Sequence, residues 1–335
     1  MSAFRIESTR GELVESVHRV SVAVTDARGA LVAEAGDPGL MTYWRSAAKP
    51  FQALPLVQDG AAEAFGLTDE ELALACASHS SEPVHLELTD RFLSRIGASE
   101  ADLACGPHTP LGAAVAEAAA RSGTPLTSRW SNCSGKHAGM LALALHHGWP
   151  TAGYERLGHP VQERIIGELE RWTGVPRSAM GFGVDGCTAV CFALPLSAMA
   201  TAYARFGTST DPDAARVRSA MMAHPALIAG SGRFCTELMT AWPGGVIAKI
   251  GAEGVYSAAL PAAGLGIAVK VEDGDMRSAP GALLAVLEAL VRHVGDDAGA
   301  ERLRSLGPQG NIPIRNSRGE VTGRLRAAGA LRFSA

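Results

Sequence analysis

Aromatic residues are scarce in this chain of 335 residues, at 5%, and charged residues reach only 19%. With 47% hydrophobic residues, 38 Gly and 18 Pro, the composition is globular and tilted toward small side chains, which excludes disorder and collagen-like repeats. Neither sign of charge dominates: 30 basic against 34 acidic residues give a formal net charge of −4. No Lys/Arg cluster marks an electrostatic footprint, which argues against a nucleic-acid partner. Long hydrophobic runs are missing too. The longest uncharged stretch, Gly186 to Ala204, is interrupted by Pro195 and diluted by Thr188, Ser197 and Thr201, so it reads as buried core and no membrane partner is expected. The first residues show no apolar segment behind a basic one, the mark of a secretory signal, and a cytoplasmic location is the expectation. Six cysteines, at 76, 105, 133, 187, 191 and 235, are too sparse for a disulfide scaffold. Most should be buried hydrophobes and some are candidate ligands.

The length fits one large domain or two lobes. Val20, Val22 and Val24 alternate with small or polar residues, a turn follows at Asp26 to Gly29, and Ala30 to Ala33 resumes, which reads as a hairpin. From Ser46 onward the signals become helical. Thr68 with Glu71 makes a capping box, and Pro110 to Arg121 and Pro160 to Trp172 each begin with proline and run periodically; His137 to His147 is a further helix. Strand signals return at Gly245 to Ile250, Val255 to Leu260 and Gly264 to Val271, before a helical Gly281 to Val294 and a last hairpin around Asn316 to Gly319. Strands at both ends with helices between them predict an α/β fold: an antiparallel sheet assembled from residues 1–45 and 240–335, with a helical lobe over 46–239 inserted.

Several clusters carry chemistry. Ser46-Ala-Ala-Lys49 places a hydroxyl and an amine about one helical turn apart on one face. A serine needs an adjacent base to become a nucleophile, and a lysine serves when desolvation or a neighbouring cation such as Arg45 lowers its pKa. The spacing also occurs by chance, as an N-cap serine and a solvated lysine. Pro50 is tolerated only in a first helical turn, which puts Ser46 near a helix N-terminus, where the dipole favours developing negative charge. In Cys76-Ala-Ser-His-Ser-Ser-Glu-Pro83 an apolar helix stops at a loop of hydroxyls, an imidazole and a carboxylate. Ser80 or Ser81 is the expected cap of the helix after Pro83, whereas Ser78 is not explained by capping. At Lys249-Ile-Gly251 a lysine closes a strand and the glycine leaves room for a substrate; an edge-strand lysine guarding against aggregation is the plain alternative. Gly135-Lys136 invites comparison with a phosphate loop, but Trp130 and His137 stand where such a loop requires Gly and Ser/Thr, and nucleotide binding is not supported. Cys133 and Cys187 supply thiolates of the kind zinc prefers, with His137 or Lys136 available to complete a set; two buried inert thiols are the alternative.

Taken in order, Arg45-Ser-Ala-Ala-Lys-Pro50, Ala77-Ser-His-Ser80, Cys105-Gly-Pro-His108, Cys133-Ser-Gly-Lys-His-Ala-Gly139, Asp185-Gly-Cys187 and Lys249-Ile-Gly-Ala-Glu-Gly254 resemble the asparaginase II family of the rhizobial, thermolabile type. The resemblance is collinear and spans nearly the whole chain. It implies a fold similar to serine β-lactamases, penicillin-binding proteins and glutaminases. It also implies two Ser-Lys tandems, Ser46 with Lys49 and Ser78 with Lys249, around one amide substrate; Lys270 lies in a similar strand. A zinc site on Cys133, Lys136 and Cys187, substrate binding by Arg45, His137 and Asp185, and a homodimer are further implications. Two departures stand out: Ser81 falls where the family has glycine, and Thr188-Ala-Val190 follows Cys187 in place of Gly-x-Pro. The expected activity is L-asparagine hydrolysis with Ser46 as nucleophile. Alternatives are another serine amidohydrolase, such as a glutaminase or a β-lactam-recognising acyl-enzyme, and a non-catalytic, zinc-regulated amino-acid-binding module.

Overall fold

The computed structural model describes residues 4–334. Strands are β1 (Arg5–Arg10), β2 (Leu13–Asp26), β3 (Leu31–Ala35), β4 (Met41–Tyr43), β5 (Gly181–Val184), β6 (Val190–Pro195), β7 (Ile247–Ile250), β8 (Val255–Leu260), β9 (Leu265–Val271), β10 (Asn311–Arg315), β11 (Val321–Ala328) and β12 (Arg332–Phe333). The chain divides into two compact units.

The first unit comprises the chain up to Ala47, Leu194–Thr208 and the chain from Glu237 onward. Its sheet runs β10-β11-β1-β2-β9-β8-β7, with β3 pairing both β2 and β12. Both ends of the chain meet in it: Arg5 lies opposite Ala328, and Val20 to Asp26 pair antiparallel with Val271 to Leu265. The mixed α/β architecture and the antiparallel sheet from both termini are therefore as the patterning predicts. In the second half of β2, Val22, Ala23 and Val24 are all fully buried. Successive strand residues point to opposite faces, so both faces of the sheet are covered there. One covering element is the helix Leu196–Thr208, which packs on β9 where Gly266 leaves a gap: a Cβ there would stand 1.9 Å from the Ala200 carbonyl oxygen. The helix Ser278–Val294 packs against β9, β11 and β1.

The second unit comprises Ala48–Ala193 and Ser209–Thr236. Its helices include Lys49–Gln58, Asp69–Ala75, Pro83–Arg95, Ser134–His147 and Pro160–Thr173. The Thr68/Glu71 capping box forms as expected, and Glu71, fully buried, also receives Arg95 Nε at 2.9 Å. Ser134–His147 is nearly all buried over Ser134 to Ala144, because its small residues let neighbouring helices close in. A Cβ on Gly135 would lie 2.3 Å from the Leu74 carbonyl oxygen, so the start of this helix rests directly on the end of Asp69–Ala75. No described helix is long and apolar enough to cross a membrane.

Candidate active site

In the first unit, Ser46 sits in a 3-10 turn, Arg45–Ala48, that directly precedes the helix Lys49–Gln58 and its early Pro50. The turn begins with strain: Arg45 has φ 54°, a left-handed conformation uncommon for a residue with a Cβ. Two contacts hold it. Trp44 Nε1 donates to Ser257 Oγ at 3.0 Å, and Tyr203 donates its hydroxyl proton to the Ala47 carbonyl at 2.8 Å. Ser257 lies opposite Lys249 in the β7–β8 ladder. Gly251 then closes the gap from the other side, since a Cβ there would meet the Trp44 carbonyl oxygen at 2.8 Å. The room left by this glycine is thus filled by the protein's own backbone rather than kept for a substrate, and it brings the end of the Lys249 strand against the residues before Ser46. Lys249 is fully buried and donates from Nζ to the Ile250 carbonyl at 2.9 Å. Lys270 is spent differently, its Nζ donating to the Glu253 carbonyl at 2.7 Å and to the Val271 carbonyl.

In the second unit, Lys49 is 1% exposed, and its Nζ lies 3.0 Å from Ser78 Oγ while also donating to the Ala77 carbonyl. A buried lysine amine in hydrogen-bond contact with a buried serine is a base and a hydroxyl within proton-transfer distance. The loop carrying Ser78 is pinned at each residue. Ser78 N–H donates to Ile228 O at 2.9 Å and His79 N–H to Asn132 O at 3.2 Å, while the Ser80 and Ser81 hydroxyls donate to the carbonyls of Ala229 and Trp130, both at 2.8 Å. Neither serine therefore caps the next helix. Glu82 is its N-cap and forms a capping box with His85, because the two serine hydroxyls are committed to holding the loop. His79 is fully buried and neutral: burial pushes its pKa far down, with His85, Lys49, His108 and Arg233 acting in the same direction. Its Nδ1 accepts the Ser81 N–H at 3.2 Å, so Nε2 holds the proton and donates to Ser134 Oγ at 2.9 Å, tying the loop to the helix Ser134–His147.

At the start of that helix the two family cysteines converge. Lys136 Nζ donates to Cys187 Sγ at 2.9 Å, and the Cys133 thiol donates to Asn132 Oδ1 at 2.9 Å. The neighbouring Cys133 thiol and the Lys136 ammonium lower Cys187 to about 5 although burial opposes this, and the Cys187 sulfur, with burial, raises Cys133 to about 12. Burial by itself would lower Lys136, but the two sulfurs and Asp185 outweigh it and hold the ammonium well above its ordinary value. Without their two protons, Cys133 and Lys136 would join Cys187 as a set of two thiolates and an amine, three donors with a fourth position open, and that chemistry fits zinc. Among the described residues no group of three or more His, Cys, Asp or Glu is arranged to hold a metal ion, so such a site depends on Lys136.

His137, fully buried, is lowered to about 3 by burial and by the neighbouring Lys136. Its Nδ1 meets the Tyr154 hydroxyl at 2.7 Å, and that hydroxyl in turn accepts the Ala104 N–H at 2.9 Å. Tyr154 therefore donates to Nδ1, and the proton of neutral His137 sits on Nε2, which has no partner among the described residues. An orphaned buried N–H is expensive unless something polar comes to it. Asp185 sits in the turn before Cys187, receiving the Gly186 N–H at 2.7 Å. Both departures from the family pattern keep left-handed backbone, Ser81 at φ 58° and Thr188 at φ 77°. Residues 105–108 act as a buttress: His108 Nε2 accepts the Asn132 N–H at 2.8 Å, just before Cys133. Sequence reasoning missed Tyr154, His108 and Arg233. Tyr154 and Arg233 stand outside the motif blocks, and for His108 only its place in the Cys105 to His108 block was a signal.

The chain belongs to the L-asparaginase II family, whose model matches residues 6–327. It is accordingly an asparaginase-type amidohydrolase acting on a small-molecule substrate. No protein among the curated ones matches it. Among solved structures it is similar to the octameric penicillin-binding protein homologue from Pyrococcus abyssi, at 14% identity over 90% of this chain and 79% of that chain, with a TM-score of 0.35.

Proposed function

We propose that the chain hydrolyses the side-chain amide of L-asparagine to L-aspartate and ammonia by serine-lysine chemistry. The observation that supports this most is the buried Lys49 amine 3.0 Å from Ser78 Oγ. Ser46, three residues before Lys49, attacks the amide carbon; the Lys49 amine takes the Oγ proton, and a tetrahedral oxyanion forms. The C–N bond breaks, the proton passes from Lys49 through the Ser78 hydroxyl to the leaving nitrogen, and ammonia departs from an aspartyl ester at Ser46. Water, deprotonated by Lys49, hydrolyses the ester and returns the proton to Ser46. Lys249, the amine of the second tandem with Ser78, steadies the tetrahedral intermediate. His137 offers its free Nε2–H to a substrate oxygen, Asp185 serves the α-amino group by charge matching, and Arg45 is a further substrate contact. Zinc on Cys133, Lys136 and Cys187 would supply a fixed charge and ligation that order the helix start bearing His137. The reading also includes a cytoplasmic homodimer.

Ammonia release from L-asparagine and L-glutamine tests this, run with the native protein, Ser46→Ala and Ser78→Ala, with and without a chelator. Asparagine turnover abolished in Ser46→Ala, with an ester on Ser46 trapped by acid quench and found by mass spectrometry, is the expected result. An ester on Ser78 instead would exchange the two serines' roles, and faster turnover of glutamine would replace the substrate.

A further inference from the structure

Arg233 lies outside the motif blocks named above and has no role in the mechanism proposed. It follows Gly230-Ser-Gly232, a loop pressed onto the Ser78 segment: a Cβ on Gly230 would meet Ser80 Oγ at 2.6 Å, and Gly230 itself has φ 123°, open to glycine. Arg233 Nη1 donates to the Ser78 carbonyl at 3.0 Å and reaches Ser80 Oγ and the Ala229 carbonyl at 3.4 and 3.5 Å. All three acceptors are neutral. Its Nε and Nη2 donate to no described residue, and no described carboxylate forms an ion pair with it. Glu82, the carboxylate of this loop, is occupied by Ser231, whose N–H and hydroxyl reach its two oxygens at 2.7 and 3.2 Å. Arg233 thus brings a guanidinium to the Ser78 carbonyl, and no described anion neutralises it.

A half-buried guanidinium anchored by one nitrogen, with the rest of its fork free, is prepared for a planar anion. Arg45, the other candidate, is already engaged within the protein. We propose that Arg233 is a specificity-determining residue that receives the α-carboxylate of the amino-acid substrate through Nε and Nη2, beside Ser78. This deepens the amidase reading and rests on it. It implies selection for substrates with a free carboxylate next to the amine.

The test compares L-asparagine with 3-aminopropanamide, the same amide lacking the carboxylate, in the native enzyme, Arg233→Gln and Arg233→Lys. Losing a charged, bidentate partner lowers kcat/KM for asparagine in Arg233→Gln by about 100-fold, mainly through KM. The same variant changes 3-aminopropanamide turnover by less than about threefold, since that substrate has no group for the guanidinium, and Arg233→Lys recovers part of the asparagine rate. Equal losses on both amides would show that Arg233 only props the Ser78 carbonyl, and would overturn the proposal. Absence of any amide turnover in the native protein would defeat the amidase reading instead. In that case, or if 3-aminopropanamide is turned over too slowly to follow, calorimetric binding of L-aspartate and β-alanine decides. Aspartate binding weakened selectively in Arg233→Gln supports the carboxylate role, and unchanged binding removes it.

Discussion

At the scale of single residues, the site is built from groups whose protonation is set by burial and by one or two neighbours. Lys49 is the most exposed to test. Replacing it with Met keeps the volume but removes the amine at Ser78, and kcat should fall by about 1,000-fold or more, with the thermal midpoint held within a few degrees. Near-native turnover in that variant would take Lys49 out of the mechanism. The Cys133, Lys136 and Cys187 cluster gives an ordering rather than a single value. Cys187→Ser leaves the Lys136 ammonium buried without its thiolate and should cost about 3 kcal/mol, whereas Cys133→Ser removes only a thiol donor and should cost about 1 kcal/mol. Denaturant midpoints of the metal-free proteins report the order, and a larger loss in Cys133→Ser would refute this charge assignment. Thr188 tests backbone strain. It is β-branched at φ 77°, and Thr188→Gly should stabilise by about 1 kcal/mol once its lost hydrogen bond to Ala104 O is counted.

At the scale of elements, close approach matters more than propensity. In a helix interior Gly→Ala ordinarily stabilises by about 1 kcal/mol. At Gly135 the sign reverses, because the added methyl would lie 2.3 Å from the Leu74 carbonyl oxygen. Gly135→Ala should lower the melting temperature and, by displacing the helix start, weaken the proposed zinc binding and the proposed asparagine turnover together. A stabilised Gly135→Ala protein with full activity would contradict this packing. Much at this scale was legible beforehand. The Thr68/Glu71 box, the helix from Pro160 and the strands at 255–260 and 265–271 follow from local chemistry, with edges within a residue or two of the patterning. The cap at Glu82 was not legible, since Ser80 and Ser81 are the better cappers in isolation. They are drawn off by the Ala229 and Trp130 carbonyls, which are distant in sequence.

For the whole molecule, the sheet ties together residues more than 300 positions apart, and its integrity depends on the last strands. Deleting residues 321–335 removes β11, the partner of β1, and β12, the partner of β3. The truncated chain should lose its cooperative unfolding transition in calorimetry, because β1 would be left with one neighbour and an open edge. A native-like transition would show that the terminal strands are dispensable.

The sequence by itself determined the class of fold, through period-2 patterning at the ends and period-3.6 patterning between them, and the motif blocks by which the family is identified. These are local properties, written in consecutive residues. Tertiary structure decided which groups meet: that Lys49 touches Ser78, that Gly251 admits Trp44 rather than a substrate, that Tyr154 sets the tautomer of His137, and that Arg233 faces the Ser78 loop with no anion among the described residues. The helix Leu196–Thr208 lies within the span that patterning reads as a helical lobe, yet it packs on the sheet, where Gly266 makes a place for it. Such pairings depend on shape and on what competes for each hydrogen bond, and neither is encoded within one segment of the chain.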